Sequence, residues 1–113
     1  MKSNTPSLNV LQDWLEVAVS YDCIGYWADI RHADGQLEVR ELEAGDKPGP
    51  WMKVSTDTML KGWELVSSPG FKIDPSIVQW GMMDIKADEG YMSDVYSLDA
   101  ILQAGLFGEI VYG

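Results

Sequence analysis

Ile24-Gly25-Tyr26-Trp27-Ala28-Asp29-Ile30-Arg31-His32-Ala33-Asp34-Gly35-Gln36-Leu37-Glu38-Val39-Arg40-Glu41-Leu42 is the stretch that decides the fold, and it reads as a β-hairpin. Asp34-Gly35 lies between two β-rich runs and tolerates the positive φ angles of a type I′ turn, which fixes the register. Ala33 then faces Gln36, Arg31 faces Glu38, Asp29 faces Arg40 and Trp27 faces Leu42, so two opposite-charge pairs share one side of the ribbon. Ile30 meets Val39 on the other side. A slip of one residue breaks both ion pairs and turns the aliphatic pair outward, so turn, charge and apolar pattern agree on one pairing.

An isolated two-stranded ribbon is marginal in water until something packs on one face. The preceding segment supplies a cover. A helix is expected from Thr5-Pro6-Ser7 to about Tyr21, with Leu8, Leu11, Trp14, Leu15, Ala18 and Tyr21 forming one stripe and Gln12, Asp13 and Glu16 opposite it. After the hairpin, residues 43–50 read as a loop, because two prolines and two glycines defeat both regular ladders. Trp51-Met52-Lys53-Val54-Ser55 reads as a third, short outer strand. A helix is expected from Ser55-Thr56-Asp57-Thr58 through Met59, Leu60, Trp63 and Val66, stopped by Ser67-Ser68-Pro69-Gly70. Gly62 weakens it by roughly 1 kcal/mol relative to alanine unless a close contact requires glycine. Asp74-Pro75-Ser76 starts another helix, carrying Ile77, Val78, Gly81, Met82 and Ile85 and closing at Met83-Asp84. Ser93 is the expected cap of a last helix through Val95, Leu98, Ile101, Leu102 and Gly105, and Glu109-Ile110-Val111-Tyr112 has the composition of a strand returning to the sheet. The expected fold is one α+β domain over 1–113, a small antiparallel sheet built on the 24–42 hairpin with helices packed on one face.

With 113 residues and 46% hydrophobic content the chain should bury roughly two thirds of its unfolded surface. A net charge of −10, from 18 acidic and 8 basic residues, argues against tracking nucleic-acid phosphates and favours basic partners. Cys23 is the single cysteine, so no intrachain disulfide forms and the cytoplasm is the expected compartment. Met1-Lys2-Ser3-Asn4-Thr5-Pro6 leads into a segment holding Asp13 and Glu16, which is no signal-peptide core, and no apolar run approaches membrane-spanning length.

No Walker loop, dinucleotide fingerprint, nucleophile elbow, paired-cysteine motif or His-Glu zinc helix occurs, so neither a cofactor nor an enzyme is expected. His32, the only histidine, faces Leu37 near the hairpin tip, where a solvated ring is unremarkable; Cys23 reads as a buried inert thiol. Asp84, Asp88, Glu89 and Asp94, with Tyr91 among them, mimic a calcium loop but fail its spacing, since Glu89 falls where glycine is required and Val95 where the bidentate glutamate belongs. Residues 73–113 hold seven acids against Lys86 alone, −6 of the total −10. That surface fits the basic groove of a nucleic-acid enzyme, as a decoy for phosphate; the plainer alternative is a solvated loop between helices. Of five tryptophans, Trp14 and Trp63 go to the core by helical spacing. Tyr26 and Trp27 point to opposite sides of a strand, so one ring lies at a surface unless both faces are covered, and Trp51 emerges from a Pro-Gly-Pro loop. Such rings suit an interface hot spot or a platform for a nucleobase.

Ile24-Gly25-Tyr26-Trp27-Ala28-Asp29 and the ending Leu106-Phe107-Gly108-Glu109-Ile110-Val111-Tyr112-Gly113 resemble segments of a group of small uncharacterised proteins encoded by bacteriophages and other mobile elements. The resemblance also takes in the leading amphipathic segment and the helix start after Trp51. It implies a genomic setting in which small acidic non-enzymatic proteins block a host defence, by occupying a nuclease complex or by sequestering a nucleotide signal.

The expectation is therefore a binding protein in the host cytoplasm that inhibits a host macromolecule with a basic surface, such as a nucleic-acid-processing complex, without touching nucleic acid or membrane itself. Its expected contact residues are Tyr26, Trp27, Trp51, Asp84, Asp88, Glu89, Tyr91 and Asp94. The alternative is a small-molecule binder that holds a nucleotide between aromatic rings, as a homo-oligomer whose interfaces complete the pocket.

Overall fold

The hairpin forms in the register its side chains dictate. In the computed structural model, which describes residues 4–113, Asp34 and Gly35 carry φ angles of 54° and 74° and turn β1 (Ala28–Ala33) into β2 (Gln36–Glu41). Every expected pair from Asp29–Arg40 to Ala33–Gln36 is present, and the Leu42 amide donates to the Trp27 carbonyl at 2.9 Å, carrying the pairing one step past the strands. On the outer face Arg31 Nε lies 2.8 Å from Glu38 and Arg40 Nη2 lies 3.4 Å from Asp29. On the inner face Val39 is completely buried.

The first strand begins later than expected. Ile24 closes a short helix, because Ser20 accepts from the Cys23 amide and resets the backbone after α1 (Leu8–Ala18), giving α2 (Tyr21–Ile24) as a separate turn where one helix to Tyr21 was expected. The Tyr21 hydroxyl then reaches Asp29 at 3.0 Å and the Ile30 carbonyl at 3.3 Å, occupying an acceptor on the outer edge of β1. Met1-Lys2-Ser3, the start of the segment read as lacking an export signal, lies outside the described residues.

The third strand shrinks to β3 (Met52–Lys53), antiparallel to β2, because Ser55 is needed as the cap of the next helix. Ser55 and Thr58 satisfy each other's backbone in a capping box at the start of α3 (Thr56–Val66). Asp74 caps α4 (Pro75–Ala87), which runs a turn beyond Met83-Asp84 and ends on Asp88 in a left-handed conformation, φ 59°. Asp94, not Ser93, caps α5 (Val95–Phe107) by accepting from the Ser97 amide at 2.9 Å. The tail beyond Gly108 forms no strand, since its amides are taken by a side chain described below.

Helix α5 is the centre of the molecule, buried from Ser97 to Gly105. It meets α3 at a crossing where a Cβ on Gly62 would lie 1.8 Å from the Ile101 carbonyl oxygen and one on Gly105 would lie 2.1 Å from that of Thr58. Two glycines thus let the backbones touch, which is the close contact that Gly62 required. Trp14 and Trp63 pack at 5.5 Å between α1 and α3, and with Met59, Leu98, Ile101 and Leu102 they make a core in which each large apolar side chain contributes about 1.5–3 kcal/mol. The described residues form an α+β architecture of five helices and one three-stranded antiparallel sheet; no helix among them is long and apolar enough to cross a membrane.

Candidate functional site

Two polar side chains interrupt the apolar run of α5. Asp99 and Gln103 are four residues apart on one helical face, both buried, and the amide Nε2 of Gln103 donates to Asp99 Oδ1 at 2.8 Å. Trp27 Nε1 donates to the same oxygen at 2.9 Å and the Tyr26 hydroxyl donates to Oδ2 at 2.5 Å. Gln103 turns its other end to the tail, where its Oε1 accepts from the amides of Val111 and Tyr112 at 2.9 and 2.8 Å. Trp27 stacks on Tyr112 and meets Phe107 edge-on at 5.7 Å. Gly25-Tyr26-Trp27-Ala28 and the segment 107–113, remote in sequence, are therefore one structural unit.

Outside this unit lies a cleft of about 550 Å³ between α2, the first turns of α5 and the tail. Tyr26 and Tyr96, 57% and 80% exposed, stand on it; Val95 and Ile110 give apolar wall, Asp22 lies at its edge and Asp99 in its floor. No lysine, arginine or histidine lines it. Asp99 receives only neutral donors, so its charge is met by hydrogen bonds without a cation. Burial and the bond to Asp99 push the Tyr26 phenol well above the usual tyrosine range.

Cys23 also borders the cleft but is poorly placed to react. Its thiol is buried and donates to the Val95 carbonyl at 3.2 Å; burial, then the charges of Asp99 and Asp94, push it up to about 12. The thiolate is therefore scarce at neutral pH. His32 stands exposed on β1, beside Leu37 and across a shallow hollow from Glu16.

Several expected contact residues have structural duties instead. Asp84 is completely buried and accepts from Trp14 Nε1 at 2.8 Å and from the amides of Met92 and Ser93 at 2.7 and 3.2 Å, so it cannot meet a partner. Trp27 is 3% exposed, so of the pair Tyr26 is the ring at the surface. Asp88 accepts from Ser7 Oγ and from Asn9 at 3.4 Å, tying the end of α4 to the start of α1, and Asp94 is committed to its cap. Of the expected contact residues in that stretch, Glu89 and Tyr91 are exposed with side chains that make no hydrogen bond. Trp51 is half-buried and its ring is already covered, with the guanidinium carbons of Arg31 and Arg40 at 4.2 and 4.5 Å from its centroid, so it offers no free stacking platform. Among the described residues no three histidine, cysteine, aspartate or glutamate side chains gather closely enough to hold a metal ion.

Sequence reasoning missed Tyr96, Val95, Ile110 and the Asp99–Gln103 pair. The signal available for the pair was two polar residues at helical spacing inside Leu98-Asp99-Ala100-Ile101-Leu102-Gln103-Ala104, where burial demands a partner for each. No family model, curated protein or solved structure matches the chain.

Proposed function

We propose that the chain is a non-enzymatic binding protein of a bacteriophage or other mobile element, which inhibits a basic host protein in the host cytoplasm through the face around the Tyr26–Tyr96 cleft. The observation that carries this reading is a cleft bearing two exposed tyrosines and two carboxylates and no cation, on a chain of net charge −10. Tyrosine is a recurrent anchor of protein interfaces, and an acidic field steers a basic partner into register. A protein that handles nucleic acid presents such a basic groove, which links this reading to counter-defence. The raised Cys23 thiol and Tyr26 phenol leave neither of these two groups as a ready nucleophile near neutral pH, in keeping with binding rather than turnover. The same lining weighs against sequestering a nucleotide there, because no basic side chain is present to meet a phosphate.

The test is capture from host lysate by the tagged chain at low and at high salt, with a Tyr96→Ala chain in parallel. Tyr96 is 80% exposed on a helix, so alanine there leaves the fold intact. Support is a basic protein retained at low salt, released at high salt and lost from the variant. Retention indifferent to both salt and the variant, or turnover of a substrate by the purified chain, contradicts the proposal.

A further inference from the structure

The outer face of the sheet shows how this chain houses a guanidinium. Arg31 lies over the Trp51 ring at 4.2 Å while its Nε is 2.8 Å from Glu38, and Arg40 lies over the same ring at 4.5 Å while reaching Asp29 at 3.4 Å. Each assembly has three members: an aromatic face, a planar cation and a carboxylate. The Tyr26–Tyr96 cleft contains the first and the third without the second.

We infer that this cleft receives an arginine side chain of the partner, its guanidinium laid against the tyrosine rings and drawn by Asp22 and Asp99. Asp22 is exposed and makes no hydrogen bond or ion pair, so its carboxylate is free to take a bidentate contact. Asp99 adds a negative charge in the floor, where its hydrogen-bond donors are all neutral. Val95 and Ile110 suit the aliphatic stem of a long side chain. A guanidinium is favoured over an ammonium because it is planar, stacks on rings and gives up its hydration more readily. At about 550 Å³ the cleft has room for the side chain together with part of its flanking backbone. The inference rests on the binding role proposed above and names the group that role would grasp.

Amide NMR titration of the full chain with N-acetyl-arginine amide, N-acetyl-citrulline amide and N-acetyl-lysine amide tests it. The arginine probe should shift the resonances of Asp22 to Tyr26 and of Val95 and Tyr96 saturably, and the isosteric, uncharged citrulline probe should leave them in place. Tyr96→Ala and Asp22→Asn should each weaken the arginine probe by about fivefold, the effect of removing one exposed cation–π or ionic contact. Equal shifts from citrulline, or arginine shifts elsewhere on the surface, overturn the site; an equal response to lysine overturns the choice of a guanidinium. If lysate capture remains sensitive to salt and to Tyr96→Ala while the arginine probe leaves the cleft unmoved, the arginine anchor falls and the binding role stands.

Discussion

The indole of Trp27 stacks on the ring of Tyr112, with centroids 5.2 Å apart and planes 6° from parallel. A residue at the start of the hairpin thereby holds one five positions past the end of the last helix, and the shape of the cleft depends on that hold. Tyr112→Ala removes the stack and the hydroxyl bond to Glu41. A loss of about 1–3 kcal/mol in urea denaturation is expected, with Tyr112→Phe keeping most of the stability because the ring stays. An unchanged midpoint in Tyr112→Ala would mean that the tail is not fastened this way.

Asp84 and Glu89 are neighbours in an acidic stretch and should respond oppositely. Asp84→Ala strands the buried Trp14 indole and Ser93 amide and the part-buried Met92 amide, and should cost about 3 kcal/mol. Glu89→Gln removes an exposed charge that makes no side-chain bond and should stay within about 0.5 kcal/mol of the parent. Comparable losses in the two variants would contradict the separation of buried from free carboxylates.

Gly62→Ala pits helix propensity against packing. Alanine favours an isolated helix by about 1 kcal/mol, but here its methyl would lie 1.8 Å from the Ile101 carbonyl oxygen. Packing wins because α3 and α5 cannot separate without opening the core, so a net loss of about 1–3 kcal/mol is expected. A stabilised variant in thermal melts would refute the close crossing.

Stability should fall on the alkaline side in a defined window. Cys23 is raised from 9.0 to about 12, and Tyr26 is raised above its ordinary value of 10.0, so the folded state holds protons that the unfolded state releases. Their contribution is fully present below pH 9 and is lost progressively as the pH climbs through 9–12 and beyond. Tyr26→Phe should flatten the part of that decline above pH 10, and Cys23 should resist iodoacetamide at pH 8 in the folded chain while reacting once unfolded. A slope unaltered by Tyr26→Phe would remove Tyr26 from the account.

The hairpin was legible because three local signals, the Asp34-Gly35 turn, the two charge pairs and Ile30–Val39, act over a few residues and agree. The starts of α3 and α4 were legible for the same reason, since Ser55 and Asp74 cap helices with their own side chains. The site was largely hidden. Whether Asp84 and Asp88 face water or other groups depends on Trp14, Ser7 and Asn9, seventy or more positions away, and sequence spacing carries no trace of those distances. The tail has strand composition, but a ladder needs a free edge, and Gln103 took the amides of Val111 and Tyr112 first. Tyr96 escaped notice because an exposed tyrosine on an apolar helix becomes distinctive only when Tyr26 and Asp22 are seen beside the same cleft.

Hydrogen exchange of the chain alone and bound to its captured partner tests the central claim, that the face around the Tyr26–Tyr96 cleft is where the partner sits. Protection is expected over residues 21–26, 91–96 and 109–113, with the outer face of the sheet around Arg31, Glu38 and Lys53 unchanged. Protection confined to that outer face, with the cleft segments exchanging as in the free chain, would contradict it.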